Sequence, residues 1–408
     1  SRPFDSNTYF QGYRDFAYDG DIVRHEFTHG IIHTLNPQLA SNGVDDWGSH
    51  VEPGAMNEGW SDFFSASYAN DPEMGEYASD GLTEAGETGL RNNANDKSCP
   101  GSLIGEVHAD SEPWAGALWS IRATLGGDAD KVAALERAAL AAIAVSAPDE
   151  DFSTASAALV DAIGAESALG AAVAEAAQAE LDGRGLSDCA RIVTLATADA
   201  DGAFDVTPIA QLNQPGKSDV GLTNFAPAIV QLRIQVPPGS AGFTLKWAQG
   251  AGGLGGVTGG GGDPEPMSVI VVEGEERITW TYQGSGSSLA TPTDSAGVEI
   301  PFDPTATASM VTLGTPNQST GLADATFTAT LESDPCNVRS FVAQIVAPAD
   351  GANIQNIDVE NLATEAVCEV EPPPGVDDCD CNHASGRAAP VAVGALALLG
   401  ALLRRRRR

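Results

Sequence analysis

His25-Glu26-Phe27-Thr28-His29 sets two imidazoles four residues apart with a carboxylate beside the first. On a helix, positions i and i+4 leave the same face, so both histidines can bind one metal ion while Glu26 stays free to move a proton. Three fixed residues in five recur by chance in roughly one chain in a hundred of this size, so the pattern needs a partner. Catalytic zinc takes three protein ligands and keeps a fourth position for water. Asn57-Glu58-Gly59-Trp60-Ser61-Asp62 supplies the third. In its E-x-x-x-D spacing Glu58 and Asp62 share a helical face, so Glu58 can ligate while Asp62 reaches a histidine from behind and fixes its tautomer. Such a set would activate water for hydrolysis.

Three segments in order then carry a family resemblance: residues 21–30 (DIVRHEFTHG), 54–64 (GAMNEGWSDFF) and 106–115 (EVHADSEPWA). Together they resemble the gluzincin zinc metallopeptidases, fungalysin most nearly and thermolysin more distantly, over about residues 1–185. The resemblance implies a secreted endopeptidase acting on proteins or peptides, with one zinc per chain held by His25, His29 and Glu58. It implies Glu26 as the catalytic general base that takes a proton from the attacking water and passes it to the leaving amine. Asp62 would orient His25. His108 would be the catalytic donor to the oxyanion, and Arg91 would bind a substrate carbonyl beside the scissile bond.

The chain also departs from that pattern. Thermolysin has a tyrosine donor about nine residues before its glutamate ligand, where this chain reads Gly48-Ser49-His50-Val51, so either His50 substitutes or the donor is missing. Only Asn7-Thr8-Tyr9-Phe10 resembles the family's substrate-pairing edge strand. With no initiator methionine and no signal peptide, the expectation is a fragment lacking the N-terminal β-rich half and propeptide. His33 repeats the i+4 step after His29, but it is not needed once Glu58 is available and is expected to pack or to support a ligand. For Arg91 the plain alternative is a surface salt bridge, and for Asp62 an ordinary helix-surface carboxylate.

These residues need a scaffold, and 408 residues are enough for two or more domains. A formal net charge of -35 repels phosphate backbones and excludes nucleic acid as a partner. The expected fold class is multidomain α+β. Residues 1–187 form a mostly helical, N-terminally truncated catalytic domain, 188–368 an all-β sandwich, 369–387 a Pro/Asp/Cys linker, and 388–408 a short transmembrane helix with an arginine cluster. Helices are expected at 111–126 (Trp114, Leu118 and Ile121 inward), 130–145, 153–163 after the acidic Asp149-Glu150-Asp151 start, and 168–181. From about Ala200 the period changes to two. Val230, Leu232, Ile234 and Val236 alternate with Gln231, Arg233 and Gln235, the pattern of a half-buried strand. Further strands are expected at 242–248, 268–272, 277–283, 325–331 and 341–346, with a glycine loop at 250–262; short strands between turns argue a sandwich. Gly216-Lys217-Ser218 is no phosphate loop, because Gln211 stands where the first glycine is required. No D-x-D-x-D-G loop is present, so calcium is not indicated.

Six cysteines bear on the compartment. Cys99, Cys189, Cys336 and Cys368 suggest two disulfides in an exported protein, most simply Cys99 with Cys189 and Cys336 with Cys368, although spacing leaves the pairing open. Cys379 and Cys381 instead precede an apolar run at 388–403 and five arginines at 404–408. That run is shorter than the roughly 20 residues of a membrane span, but its arginines can snorkel and mark a cytoplasmic side. The tail resembles the C-terminal sorting tails of myxobacterial surface proteins, with a plain membrane anchor as the alternative. Both place the chain outside the cytoplasm, secreted or at the cell surface. Two functions remain in play: a zinc-dependent extracellular endopeptidase, or a surface-displayed adhesion protein whose sandwich does the work and whose peptidase part is inactive.

Overall fold

The histidine pair sits mid-way along a long helix, α1 (Gly20–Leu35). Asp19 starts it, its carboxylate accepting from the Asp21 and Ile22 amides and so satisfying two of the donors every helix start leaves open. In the computed structural model, residues 15–45, 47–79, 89–212, 228–251, 263–281, 291–348, 351–363 and 368 are described. A hairpin of β1 (Gly43–Asp45) and β2 (Gly48–His50) follows α1. Then comes α2 (Glu52–Ala69), which has a proline in its first turn and ends on Asn70 in the left-handed region at φ 55°. Next are β3 (Glu73–Met74), α3 (Glu76–Ser79) and β4 (Arg91–Asn92), the last pairing with β3.

Four more helices complete this half: α4 (Val107–Ala123), α5 (Ala129–Val145), α6 (Phe152–Ala165) and α7 (Ala171–Gly183). The expected four are all present with shifted ends. The largest shift is in α4, which begins at Val107 rather than 111 because Glu106 caps it, accepting from the His108 and Ala109 amides. That cap brings His108 onto the first helical turn. Asp151 of the acidic cluster caps α6 in a capping box with Thr154. The core joins these helices through Trp60, Phe63, Trp114 and Phe152, all fully buried. Trp60 and Trp114 meet edge-on at 5.6 Å, and Trp114 stacks on Phe152 at 6.0 Å. Gly59 lets α2 and α4 close this tightly: a Cβ there would stand 3.0 Å from the Ser111 carbonyl and 3.0 Å from the Trp114 ring.

Asp110 holds the loop that leads into α4. Its buried carboxylate accepts from the Ile104 amide at 2.6 Å and the Gly105 amide at 3.0 Å. Burial pushes its carboxyl up to about 8. A folded value above the unfolded one, roughly 3.9, means the native state keeps a proton that the unfolded chain releases, so stability falls as pH rises from about 4 to 8. Asp110→Asn should flatten that slope, read as the difference between urea midpoints at pH 5 and pH 8. An unchanged difference would show that Asp110 does not titrate in this window.

Beyond Arg191 the chain becomes β. The strands are β5 (Ile192–Thr194), β6 (Thr197–Asp199), β7 (Gly202–Phe204), β8 (Ile209–Leu212), β9 (Ile229–Val236), β10 (Ser240–Ala251), β11 (Ser268–Glu273), β12 (Thr279–Thr281) and β13 (Thr291–Thr293). The short helix α8 (Pro304–Ala308) precedes β14 (Thr312–Leu313), β15 (Ala323–Thr330), β16 (Arg339–Val346) and β17 (Ala352–Ala363). One sheet runs β14-β15-β10-β17-β7 with β8 also on β17, and the other β11-β16-β9-β5 with β6 also on β9. Inward side chains of both sheets, among them Leu232, Ile234, Phe243, Leu245, Phe327 and Phe341, form one apolar layer, as in a sandwich.

Two strand expectations need correction. β9 is covered on both faces: Gln231 is fully buried, its amide donating to the Ile278 carbonyl and accepting from the Ile278 amide, because Ile278 and Trp280 lay a second apolar cluster over the outer face. β17, the central partner of β10, was not anticipated, since Asn353, Gln355, Asn356, Asp358 and Glu360 break up its apolar alternation.

Cys99 bonds Cys189 and Cys336 bonds Cys368, the simplest of the expected pairings. Residues up to Cys368 form one compact unit. Among the described residues no helix is long and apolar enough to cross a membrane. The linker 369–387, the run 388–403, the arginines 404–408, Cys379, Cys381, residues 7–10, 216–218 and most of the glycine loop lie outside the described residues.

Candidate metal centre

α1 and α2 pack side by side and bring His25, His29 and Glu58 together, with ligating atoms of all three within 4.8 Å of one another. Among the described residues no other group of three such side chains converges in this way. His25 Nε2 lies 3.0 Å from His29 Nε2 and 3.0 Å from Glu58 Oε2, and His29 Nε2 lies 3.5 Å from Glu58 Oε1.

The outer nitrogens explain why the inner ones converge. His25 Nδ1 is 2.7 Å from Asp62 Oδ1. His29 Nδ1 is 2.9 Å from Asn57 Oδ1 and 3.1 Å from Ser61 Oγ. Acceptors on the Nδ1 side keep the ring protons there and leave each Nε2 lone pair facing inward. Glu58 Oε2 is buried among them without a hydrogen-bond partner. Three acceptors around one point with no donor between them are a donor set for a cation, and two imidazoles plus a carboxylate fit a catalytic zinc with an open position.

The carboxylates of this cluster also favour the protonated form of the imidazoles. Burial alone would lower the His25 imidazole, yet its bond to Asp62 and the Glu58 carboxylate beside it hold it up at about 9. His29 is raised against its own burial by Glu58 and Asn57. Glu58 is held well below the usual carboxylate range: burial opposes this, and the two histidines overcome it.

Asp62 is completely buried at the back of the site and carries a second partner. Arg91, from β4, grips it in a two-pronged pair, Nε to Oδ2 at 2.6 Å and Nη2 to Oδ1 at 2.7 Å. Burial would raise the Asp62 carboxyl, and the adjacent guanidinium reverses that and lowers it. Asp62 is therefore not a surface carboxylate, and Arg91 is a salt-bridge partner, as its plain alternative had it, but of a buried group rather than at the surface. Sequence reading put Arg91 on a substrate carbonyl; the structure places its Nε and Nη2 on Asp62, one step behind His25.

His108 stands at the front, half exposed on the first turn of α4, its Nε2 3.5 Å from Glu58 Oε2. Its Nδ1 meets Glu106 Oε1 at 2.7 Å, and that bond raises the His108 pKa. Glu106 is thus helix cap and histidine partner together, a role the E-x-H spacing could have signalled. Asn57 was likewise missed as a partner of His29, although it immediately precedes the ligand Glu58. Glu26 is exposed on α1 between the two histidines and borders a groove of 490 Å³ lined by Phe27, Gly30, Ile31, Thr34 and Leu35.

Two other histidines lie elsewhere. His33 is exposed rather than packed, because eight residues past His25 the helical repeat has carried it off the buried face. His50 is buried, but it lines a different cavity with Glu52, so it does not stand in for the tyrosine donor.

Two histidines one helical turn apart, closed by a glutamate on the next helix, are the arrangement of the gluzincin class of metallopeptidases. The comparisons agree with that arrangement: residues 6–142 are similar to the family described as fungalysin metallopeptidase (M36). An extracellular metalloproteinase of Pyrenophora tritici-repentis is 36% identical over 88 residues, 20% of this chain and 12% of that protein. The extracellular metalloproteinase mep of Aspergillus fumigatus is 32% identical over 121 residues, 27% of this chain and 18% of its own. Extracellular metalloproteinase 4 of Trichophyton tonsurans is 31% identical over 121 residues, 26% and 18% respectively. The chain spans less than a fifth of the length of these relatives.

Proposed function

We propose that this chain is a zinc-dependent extracellular endopeptidase that hydrolyses peptide bonds of protein or peptide substrates. The observation that carries the reading is the convergence of His25 Nε2, His29 Nε2 and the unpartnered Glu58 Oε2 on one point, with Asp62 and Asn57 fixing the ring tautomers. When bound there, zinc would acidify a water and polarise the substrate carbonyl. Glu26, exposed beside the ligands, would take a proton from the attacking water and hand it to the leaving amine. His108, held by Glu106, turns its Nε2 toward the site and donates to the oxyanion as charge develops. Arg91 serves mainly to hold Asp62, and through it His25, and one edge of its guanidinium can also meet a substrate carbonyl.

The names of the relatives and the two disulfides support an extracellular setting. The division into a catalytic part at 1–187 and an accessory sandwich at 188–368 remains part of the proposal, as does processing or anchoring through the 369–408 tail. The test is hydrolysis of casein by the purified chain. Chelation should abolish cleavage and added zinc should restore it, whereas no hydrolysis by the zinc-loaded chain would favour the adhesion reading.

A further inference from the structure

A cavity of 300 Å³ lies away from His25 and His29, where the β1–β2 hairpin, the start of α2, the turn into α6 and the approach to β5 meet. Its charged lining is Asp45, His50, Glu52, Asp149, Asp151 and Arg191. Two of these side chains are held firmly and deep. His50 is 7% exposed, and its ring packs over Gly43, its partner across the hairpin, where a Cβ would stand 2.4 Å from Nε2. Its Nδ1 is buried and has no hydrogen-bond partner. Glu52 is 5% exposed, and its Oε2 accepts the Phe152 amide at 2.9 Å, fixing the carboxylate.

That leaves His50 Nδ1 facing Glu52 Oε1 across 3.9 Å. The gap is too long for a hydrogen bond. Two donors each about 2.0–2.2 Å from a common ion stand at most about 4.4 Å apart, so the gap is one an ion can span. The charge count favours a cation as well: four carboxylates face a single guanidinium, and Arg191 is turned onto Asp45. An unpartnered buried imidazole is the costly element in this arrangement, and one ion would satisfy it.

We propose that this cavity is a second divalent-cation site, separate from His25, His29 and Glu58, with His50 Nδ1 and Glu52 Oε1 as its two protein donors, water filling the rest of the shell, and the Asp149 and Asp151 carboxylates further out, reached through that water. A mixed imidazole and carboxylate set suits Mn2+ or Zn2+ rather than Ca2+. A bound ion would tie the start of the helix carrying Glu58 to the start of α6. The site does not depend on the peptidase reading, since no residue is shared.

The experiment is titration of Mn2+ into the chain carrying one equivalent of zinc, with bound ion counted from loss of the free Mn2+ paramagnetic resonance signal. Wild type should take one Mn2+ above the diffuse binding of its acidic surface. Glu52→Gln, which keeps an oxygen for the Phe152 amide, and His50→Leu should each weaken that step at least tenfold. His29→Ala should leave it in place. Circular dichroism confirms that each variant is folded. An isotherm without the single tight step in wild type, or the same step in both cavity variants, overturns the proposal; an ion held instead by Cys379 and Cys381 would survive both substitutions.

Discussion

Glu26→Gln is expected to keep its zinc and lose casein hydrolysis by about 10²–10⁴-fold, the usual contribution of a positioned general base. The substitution separates ligation from proton transfer because Glu26 does not belong to the converging group: His25, His29 and Glu58 supply the ligating atoms, and Glu26 stands exposed beside them. Glutamine matches the carboxylate in shape but accepts no proton, so the helix, the imidazole positions and zinc content should all be unchanged. The loss should fall on kcat more than on KM, because the proton moves in the transition state and contributes little to ground-state binding. A variant that had lost zinc would show that the residue supports the metal. One that kept both zinc and activity would remove Glu26 from the mechanism.

Much of this site was legible because metal chemistry constrains residue type and spacing together. The i, i+4 histidines, the glutamate ligand and the carboxylate one turn beyond it are local features of two helices, so their relative positions follow from the helical repeat. What was not legible depends on contacts between elements distant in sequence. Arg91 reaches Asp62 only because β4 pairs with β3 at the end of α2, and no spacing rule encodes that. The resemblance set Arg91 at the substrate, and the fold sets it first behind the histidine.

The fold shows the same division. The alanine-rich helices and the strongly alternating strands were recognisable from periodicity. β17 was not, although it is the most connected strand of its sheet, because a strand deep in hydrogen-bonding partners can carry polar side chains toward the outer face. Gln231 makes the same point in reverse. Its polar side chain reads as solvent-facing, yet it is buried with both its donor and its acceptor satisfied by Ile278. Burial of a polar group becomes readable only when its partner is known.

Asp62→Ala should damage stability and metal binding at once, and the two can be measured separately. Asp62 is fully buried, with His25 Nδ1 on Oδ1 and the Arg91 fork across both oxygens. Removing it strands a largely buried guanidinium, and breaking such a pair from one side costs about 3–5 kcal/mol, a large part of the 5–15 kcal/mol that typically holds a domain together. The zinc Kd should also rise by about 10–100-fold, since His25 loses the group that fixes its tautomer. Asp62→Asn divides the two roles. Its amide oxygen can still accept from His25 or Arg91, so zinc should be held better than in the alanine variant, while the lost charge leaves Arg91 uncompensated. The pH dependence carries its own sign. A carboxylate lowered in the folded state contributes its stability above the unfolded value and loses it as pH falls through the folded one, so the penalty of Asp62→Ala should be full at pH 7 and shrink in acid. Urea midpoints at pH 7 and pH 3, with zinc affinity from competition against a chromogenic chelator, measure both effects. If the midpoint is unchanged at pH 7, the Asp62–Arg91 pair does not support the fold. If zinc affinity is also unchanged, His25 is held in place by its packing alone.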